Sequence, residues 1–208
     1  TSADLQWVLA GYTLTFGTVL VAAGRAGTDE IEAALREDNT ETGAIAAATA
    51  RAAVPTPEGM AAEIDRRLAL QEAGSMVPFA TRRLSDGRVI GMTTFMNIDR
   101  SVPRVEVGST WNAASASGTG TNADAKLLLL GHAFEVWGVA AVEFRTDWMN
   151  MQSRAAIERL GAKRDGVLRQ QAQRNGYVRD TVVYSVVAAE WPAVRKGLEF
   201  RVGRRAQK

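Results

Sequence analysis

The stretch "RVEVGSTWNAASASGTGTNADAKLLLLG" (104–131) decides how the chain folds. Its first eight residues set Val105 and Val107 against Glu106 and Gly108, a period-two alternation that predicts a strand over 104–111. From Asn122 to Trp137 the period changes. Leu127, Leu130, Phe134 and Trp137 fall on one helical stripe, and Gly138 follows as a stop. Between the two lies a glycine-rich loop that runs into the helix, "SASGTGTNADAK" (115–126). The first N–H groups of a helix have no intrahelical partner and sit at the positive end of its dipole, which suits a phosphate. Glycines there let a ligand approach the backbone closely.

Two phosphate-loop patterns can be tested on the letters alone. The Walker pattern ends in Gly-Lys-Ser/Thr; Lys126 is not preceded by Gly, so it fails. The dinucleotide fingerprint matches as Gly118-x-Gly120-x-x-Ala123, with Glu143 twenty residues further on. Its context does not match. The first glycine of that fingerprint closes a strand directly, whereas Trp111–Ser117 intervene here, and Glu143 falls in mid-strand.

Outward from this unit, "MVPFATRRL" (76–84) and "RVIGMTTFMNID" (88–99) read as a hairpin around the turn "SDG" (85–87). Downstream, "VAAVEFRTD" (139–147) alternates around Val142 and Phe144 as a strand. "NMQSRAAIERLGA" (150–162) is a helix with Asn150 as cap and Gly161 as stop. Residues 166–188 make two strands about Asn175–Gly176, and a short helix begins near Pro192. Upstream, Met60, Ile64, Leu68 and Gln71 space a helix that stops at Gly74. Residues 1–53 are hardest to read: a strand over 12–23, a helix capped by Thr28 over 28–38, and an alanine-rich segment over 41–53. The order of elements predicts a mixed α+β (α/β) sheet with helices on its faces.

Composition removes several classes of chemistry. The 208 residues hold 25 basic and 23 acidic side chains, too even a balance to favour nucleic acid or a membrane surface. With no cysteine there is no disulfide, no thiolate nucleophile and no cysteine–zinc site, which fits a reducing cytoplasm. One histidine, His132, excludes a multi-histidine metal site. Leu14–Ala23 is apolar but short and is not read as a signal peptide or a membrane span.

From residue 76 onward the chain resembles the GCN5-related N-acetyltransferases (GNAT), in the branch similar to the ribosomal-protein alanine acetyltransferases. The resemblance is carried, in order, by "VPFATRRLSDGRVIGMTTFMNID", "RVEVGSTW", the glycine loop, "AKLLLLGHAFEVWGVAAVEFRTDWMNMQSRAAIERLGAKRDGVLR" and "RDTVVYSVVAAEWPAVR". It implies a single domain with a central, mostly antiparallel twisted sheet flanked by helices. Residues 1–75 would supply the opening strand and acceptor-side helices, and 76–208 the sheet and the acetyl-coenzyme A-binding core. It also implies acetyl-coenzyme A as co-substrate, no metal, direct transfer to a primary amine (a protein N-terminus or a small molecule) and a homodimer.

The family's loop reads Gln/Arg-x-x-Gly-x-Gly/Ala; here it is Ser115-x-x-Gly118-x-Gly120, so the glycines match and the first position departs. The resemblance assigns the pyrophosphate to the backbone of Gly118, Thr119, Gly120, Thr121 and Asn122. It assigns the pantetheine arm to the strand end Ser109, Thr110, Trp111 and Asn112. Asn150 and Ser153 match the branch's Asn-x-x-Ser motif, which faces the cofactor's arm and thiol.

Amine acylation needs a base, donors for the acyl oxygen and a proton for the departing thiolate. Glu106 is the candidate base, against a purely structural strand carboxylate. Ser153 is the candidate donor to the thiolate, against a hydroxyl bonding its own helical turn. Many superfamily relatives carry a tyrosine seven residues after the Asn; here that position is Ile157. Asn150 serves equally as a helix cap. His132 lies off the leucine stripe and reads as a surface or interface histidine. Trp111 either packs beneath the cofactor loop or lines the acceptor side. The arginines of 164–179 belong to a solvated hairpin or meet an acidic acceptor or the phosphates. The rival from another class is a non-catalytic coenzyme A-binding module, favoured by Ser115 and Ile157.

Overall fold

A computed structural model describes residues 18–22, 57–99, 101–116, 118–174 and 177–206. Seven strands form one sheet: β1 (Thr18–Ala22), β2 (Met76–Arg83), β3 (Val89–Asp99), β4 (Arg104–Asn112), β5 (Ala141–Asp147), β6 (Lys163–Arg174) and β7 (Tyr177–Val187). Their order across the sheet is β1-β2-β3-β4-β5-β7-β6. Only β4 and β5 pair in parallel; the other described pairs are antiparallel. The hairpins and the mostly antiparallel sheet read from sequence are therefore present. The expected helix over 28–38, the alanine-rich segment over 41–53, read as helix or loop, and the Asn175–Gly176 turn lie outside the described residues, as does the strand over 12–23 apart from Thr18–Ala22.

Four α-helices accompany the sheet among the described residues: α1 (Pro57–Glu72), α2 (Thr121–Gly131), α3 (Met151–Leu160) and α4 (Trp191–Ala206). Phe95, Val105 and Val107 on one face of the sheet share a core with Leu127–Leu130 of α2, Ile157 and Leu160 of α3, and Trp191, Leu198 and Val202 of α4. The opposite face carries a second cluster of Ile90, Met92, Trp111, Ala113 and Ala116. Alternation along β3 as far as Met96 separates the two, because odd positions there face α2 and even positions face away.

Three expectations are corrected. The helix over 122–137 is regular only to Gly131, and His132–Val136 forms one wide π-turn. All four leucines of 127–130 are buried, because the helix is enclosed by the sheet and α4 rather than half-solvated. The Trp137 N–H closes this turn on the His132 carbonyl at 3.1 Å. His132 is not a surface residue. It is 5% exposed, 5.0 Å from the Trp137 ring and 6.4 Å from Phe95 between centroids. A single-stripe reading fails for a helix buried on nearly every side. The C-terminal helix is not short but 16 residues long. Its anchor is Trp191, stacked on Phe134 and donating from Nε1 to Glu135 at 2.8 Å.

Candidate active site

The site begins with a fork. β4 and β5 pair at Arg104–Ala141, Val105–Val142 and Glu106–Glu143, and the ladder stops there. β4 continues to Asn112 and β5 to Asp147 without pairing each other. From Val107 onward, the β5-facing edge of β4 therefore has no strand partner among the described residues. Each strand of the parallel pair leads to a helix on the same face of the sheet, so the N-termini of α2 and α3 stand beside the gap. Ligands of parallel strand–helix units bind at this position, beyond the carboxyl ends of diverging strands.

Glu106 occupies the last rung before the fork. It is 7% exposed, and Asn97 Nδ2 donates to its Oε2 at 2.7 Å. Arg145 Nε lies 3.6 Å from the same oxygen. Burial is the dominant influence and pushes its carboxyl above the ordinary carboxylate range. Asn97 and Arg145 oppose that shift and Glu143 adds to it. Glu143 is itself engaged by Arg104 and by Arg145 at 3.1 Å. A carboxyl with a raised pKa, at the edge of a gap, has the electrostatics of a general base.

Asn97 reaches Glu106 because β3 is bulged. Asn97 and Ile98 together face Val105, and Asn97 takes a φ of 49°. A second bulge lies on β4, where Ser109 and Thr110 together face Thr93. Ser109 has a φ of 48°, and the bulge interrupts the ladder on the strand that borders the gap. Trp111 is buried with Ala113 and Ala116, so it packs beneath the loop rather than lining an acceptor surface. Asn112 pairs with Gly91. A Cβ on Gly91 would stand 2.4 Å from the Trp111 carbonyl oxygen, so glycine is what lets β3 come this close.

The loop then turns through a short 3₁₀ segment, Ala114–Ala116. Gly118 (φ 73°) and Gly120 (φ 100°) both adopt left-handed conformations, and Gly120 precedes α2 with no side-chain cap. A Cβ at Gly118 would meet nothing within 4 Å, so glycine is needed there for its backbone and the space beside it is open. Thr119 donates from its hydroxyl to the Ala116 carbonyl at 2.7 Å and lies 2.8 Å from the Thr121 hydroxyl, which ties the loop to the helix. Thr121 is buried and Asn122 half-buried. An uncapped helix start behind an open glycine turn fits a phosphate group. Ser115 is exposed.

Across the gap, Asn150 caps α3, its Oδ1 accepting from the Ser153 backbone N–H at 2.9 Å. Ser153 is half-buried in the first turn. Ile157 is buried in the core. The structure thus gathers Glu106, the 109–112 strand end, the 118–122 loop and the Asn150–Ser153 turn around one fork.

Asn97 carries no signal for this role in the sequence, because its contact depends on a bulge that only strand pairing creates. Asp147, which ends β5 and accepts from the Met149 N–H at 2.8 Å, likewise carries none. Lys126 left a visible signal: it is the lone cation in "ADAKLLLL", a run otherwise suited to burial.

Residues 48–163, more than half of the chain, match the family described as the acetyltransferase (GNAT) domain. The chain belongs to the GNAT acetyltransferase family. This GNAT chain is 33% identical over 108 residues to YdaF of Bacillus subtilis (strain 168), named as a ribosomal N-acetyltransferase. That match covers 52% of this chain and 58% of YdaF, less than two thirds of the relative's length. An acetyltransferase from T. thermophilus has a TM-score of 0.74 at 32% identity, covering 89% of the GNAT chain and 93% of its own. Mycobacterium smegmatis RimJ in complex with CoA-disulfide has a TM-score of 0.72 at 19% identity, covering 90% of each chain, a likeness of fold.

Proposed function

We propose that the protein transfers an acetyl group from acetyl-coenzyme A directly to a primary amine, with a protein N-terminus as the leading acceptor. The observation that carries this reading is the fork: β4 and β5 part immediately after Glu106, with the uncapped glycine loop on one side and the Asn150–Ser153 turn on the other. The residues present suit the co-substrate. Within the 118–122 loop, the start of α2 at Gly120 and Asn122 offers backbone donors to the pyrophosphate, and the unpartnered edge of β4 over 109–112 offers an extended backbone to the amide-bearing arm. Acetyl-coenzyme A, when bound, supplies the activated thioester. Glu106 takes a proton from the incoming amine, directly or through water, and its raised pKa gives it more proton affinity than an ordinary carboxylate. Ser153 offers a hydroxyl to the departing sulfur.

With no cysteine in the chain, a cysteine-linked acyl intermediate is excluded, and in this reading amine and thioester occupy the site together. YdaF's description as a ribosomal N-acetyltransferase supports a protein N-terminal amine over a small molecule. A cytoplasmic setting and a homodimer belong to the same reading, and fractionation and light scattering test them.

The test is calorimetry with coenzyme A, followed by thiol release from acetyl-coenzyme A with a panel of peptide and small amines. Binding with turnover on N-terminal peptides is the expected result. Binding without turnover across the panel would favour a non-catalytic coenzyme-binding module, the reading that Ser115 and Ile157 support. Absence of coenzyme A binding would sink both.

A further inference from the structure

Two buried cations meet the β4 bulge. Lys126, in the second turn of α2, is 4% exposed. Its Nζ donates to the Thr93 hydroxyl at 2.7 Å and to the Thr110 hydroxyl at 2.8 Å, and those two hydroxyls lie 2.9 Å apart. Arg67, on α1, is 7% exposed. Its Nη1 donates to the Thr94 hydroxyl at 3.0 Å and reaches the Ser109 carbonyl oxygen at 3.5 Å.

Thr93 and Thr94 are consecutive in β3 and point to opposite faces of the sheet. Thr93 shares the Phe95 face, against which α2 packs. Thr94 shares the Ile90–Met92 face. Each cation therefore grips one β3 threonine and one residue of the bulge, Lys126 with Thr110 and Arg67 with Ser109, from opposite sides.

Both features are costly by themselves. A serine at φ 48° is in a region that residues with a Cβ enter rarely, and such a conformation persists only where its surroundings over-determine it. A lysine ammonium taken out of water is unfavourable unless its donors are used, and burial lowers the Lys126 pKa to about 7. That both occur at one bulge, on the strand that borders the fork, gives them a common purpose.

We propose that Lys126 and Arg67 are positioning residues that clamp the Ser109–Thr110 bulge from the two faces of the sheet, fixing the backbone against which the acyl donor is held. The claim rests on the acetyltransferase reading for its consequence in catalysis, but the clamp itself is a property of the protein alone. Regularising or loosening the bulge shifts the register of β4 beyond Gly108, so the backbone groups of 109–112 leave their positions while the glycine loop and α3 keep theirs. The loss then falls on the chemical step and, through the arm's contacts with 109–112, on coenzyme affinity.

The experiment uses the full chain and the variants K126M, R67M, T93V and T93S. Amide hydrogen exchange is followed by mass spectrometry in the protein alone, then coenzyme A affinity, kcat and KM. In K126M and R67M, exchange over 107–113 should rise while the 76–83 strand stays protected. Coenzyme A affinity should weaken, because the 109–112 backbone holds its arm, and kcat should fall by about 10- to 100-fold, the scale of a roughly 1 Å misplacement. T93S, which keeps the hydroxyl that Lys126 grips on β3, should behave as wild type, and T93V should follow K126M; this pair carries the test if K126M does not fold. Unchanged exchange over 107–113 overturns the clamp. So does a loss of protection that spreads equally to the 76–83 strand, the mark of a merely structural role. If wild type binds no coenzyme A, the acetyltransferase reading falls while the exchange data still decide the clamp.

Discussion

At the scale of single residues, the chemistry of the fork turns on Glu106. Its carboxyl is buried, so it ionises later than a solvated one, and the base form appears only as pH rises through that elevated value. E106Q should lower kcat by about 10²- to 10⁴-fold near neutral pH and remove the acid limb of the kcat profile. A profile of unchanged shape would exclude Glu106 as base. The same raised pKa makes a statement about stability. The folded state holds the proton more tightly than the unfolded state, so the Glu106 contribution is full below the unfolded value and is lost as pH rises through the folded one. E106Q should therefore raise Tm at neutral pH while it lowers kcat, read by thermal melts at pH 4 and pH 8. Lys126 works in the other direction. Its folded pKa of about 7 lies below the ordinary value of 10.5, so the unfolded state binds the extra proton between the two. Stability should rise with pH across about 7 to 10.5, and K126M should lose that slope, read by denaturant titrations at both ends of the window.

At the scale of elements, the loop between β4 and α2 is the part most exposed to mutation. Gly120 at φ 100° has no counterpart among ordinary L residues, so G120A should cost about 1–2 kcal/mol of stability and weaken coenzyme A binding, read by melting and calorimetry together. Ser115 is exposed at the position where the family carries Gln or Arg. A guanidinium there adds a charged donor beside the phosphate cradle, so S115R should tighten coenzyme A binding, and calorimetry showing no gain would remove that side chain from the site. Much of this element was legible in the letters: the period change near Gly118 marked the loop, and Asn150 and Gly161 marked both ends of α3. The bulges were not legible. A bulge is a mismatch between two strands, and nothing in "VEVGSTW" says that Ser109 and Thr110 will share one partner, Thr93. His132 was misread because one helix's periodicity does not reveal how many neighbours surround it.

At the scale of the whole molecule, the fork joins segments far apart in the chain, and a ligand that occupies it should hold them together. Coenzyme A at about 100 times its Kd should raise the unfolding free energy by about 2.7 kcal/mol, visible as a concentration-dependent rise in Tm. An unmoved Tm with saturating ligand would count against the site. By itself, the sequence determined the local matters: strand and helix periods, the glycine loop, the caps, the excluded thiol chemistry and the membership that the dispersed motifs implied. These depend on residues within a turn or two of each other, where spacing alone sets which groups meet. The tertiary structure alone decided that β4 and β5 part after Glu106, that Asn97 meets its carboxylate, and that Lys126 and Arg67 meet one bulge from opposite faces. Those contacts join residues 9, 16, 27, 33 and 42 positions apart. Pairing register and burial set them, and neither quantity exists until the sheet has closed on its helices.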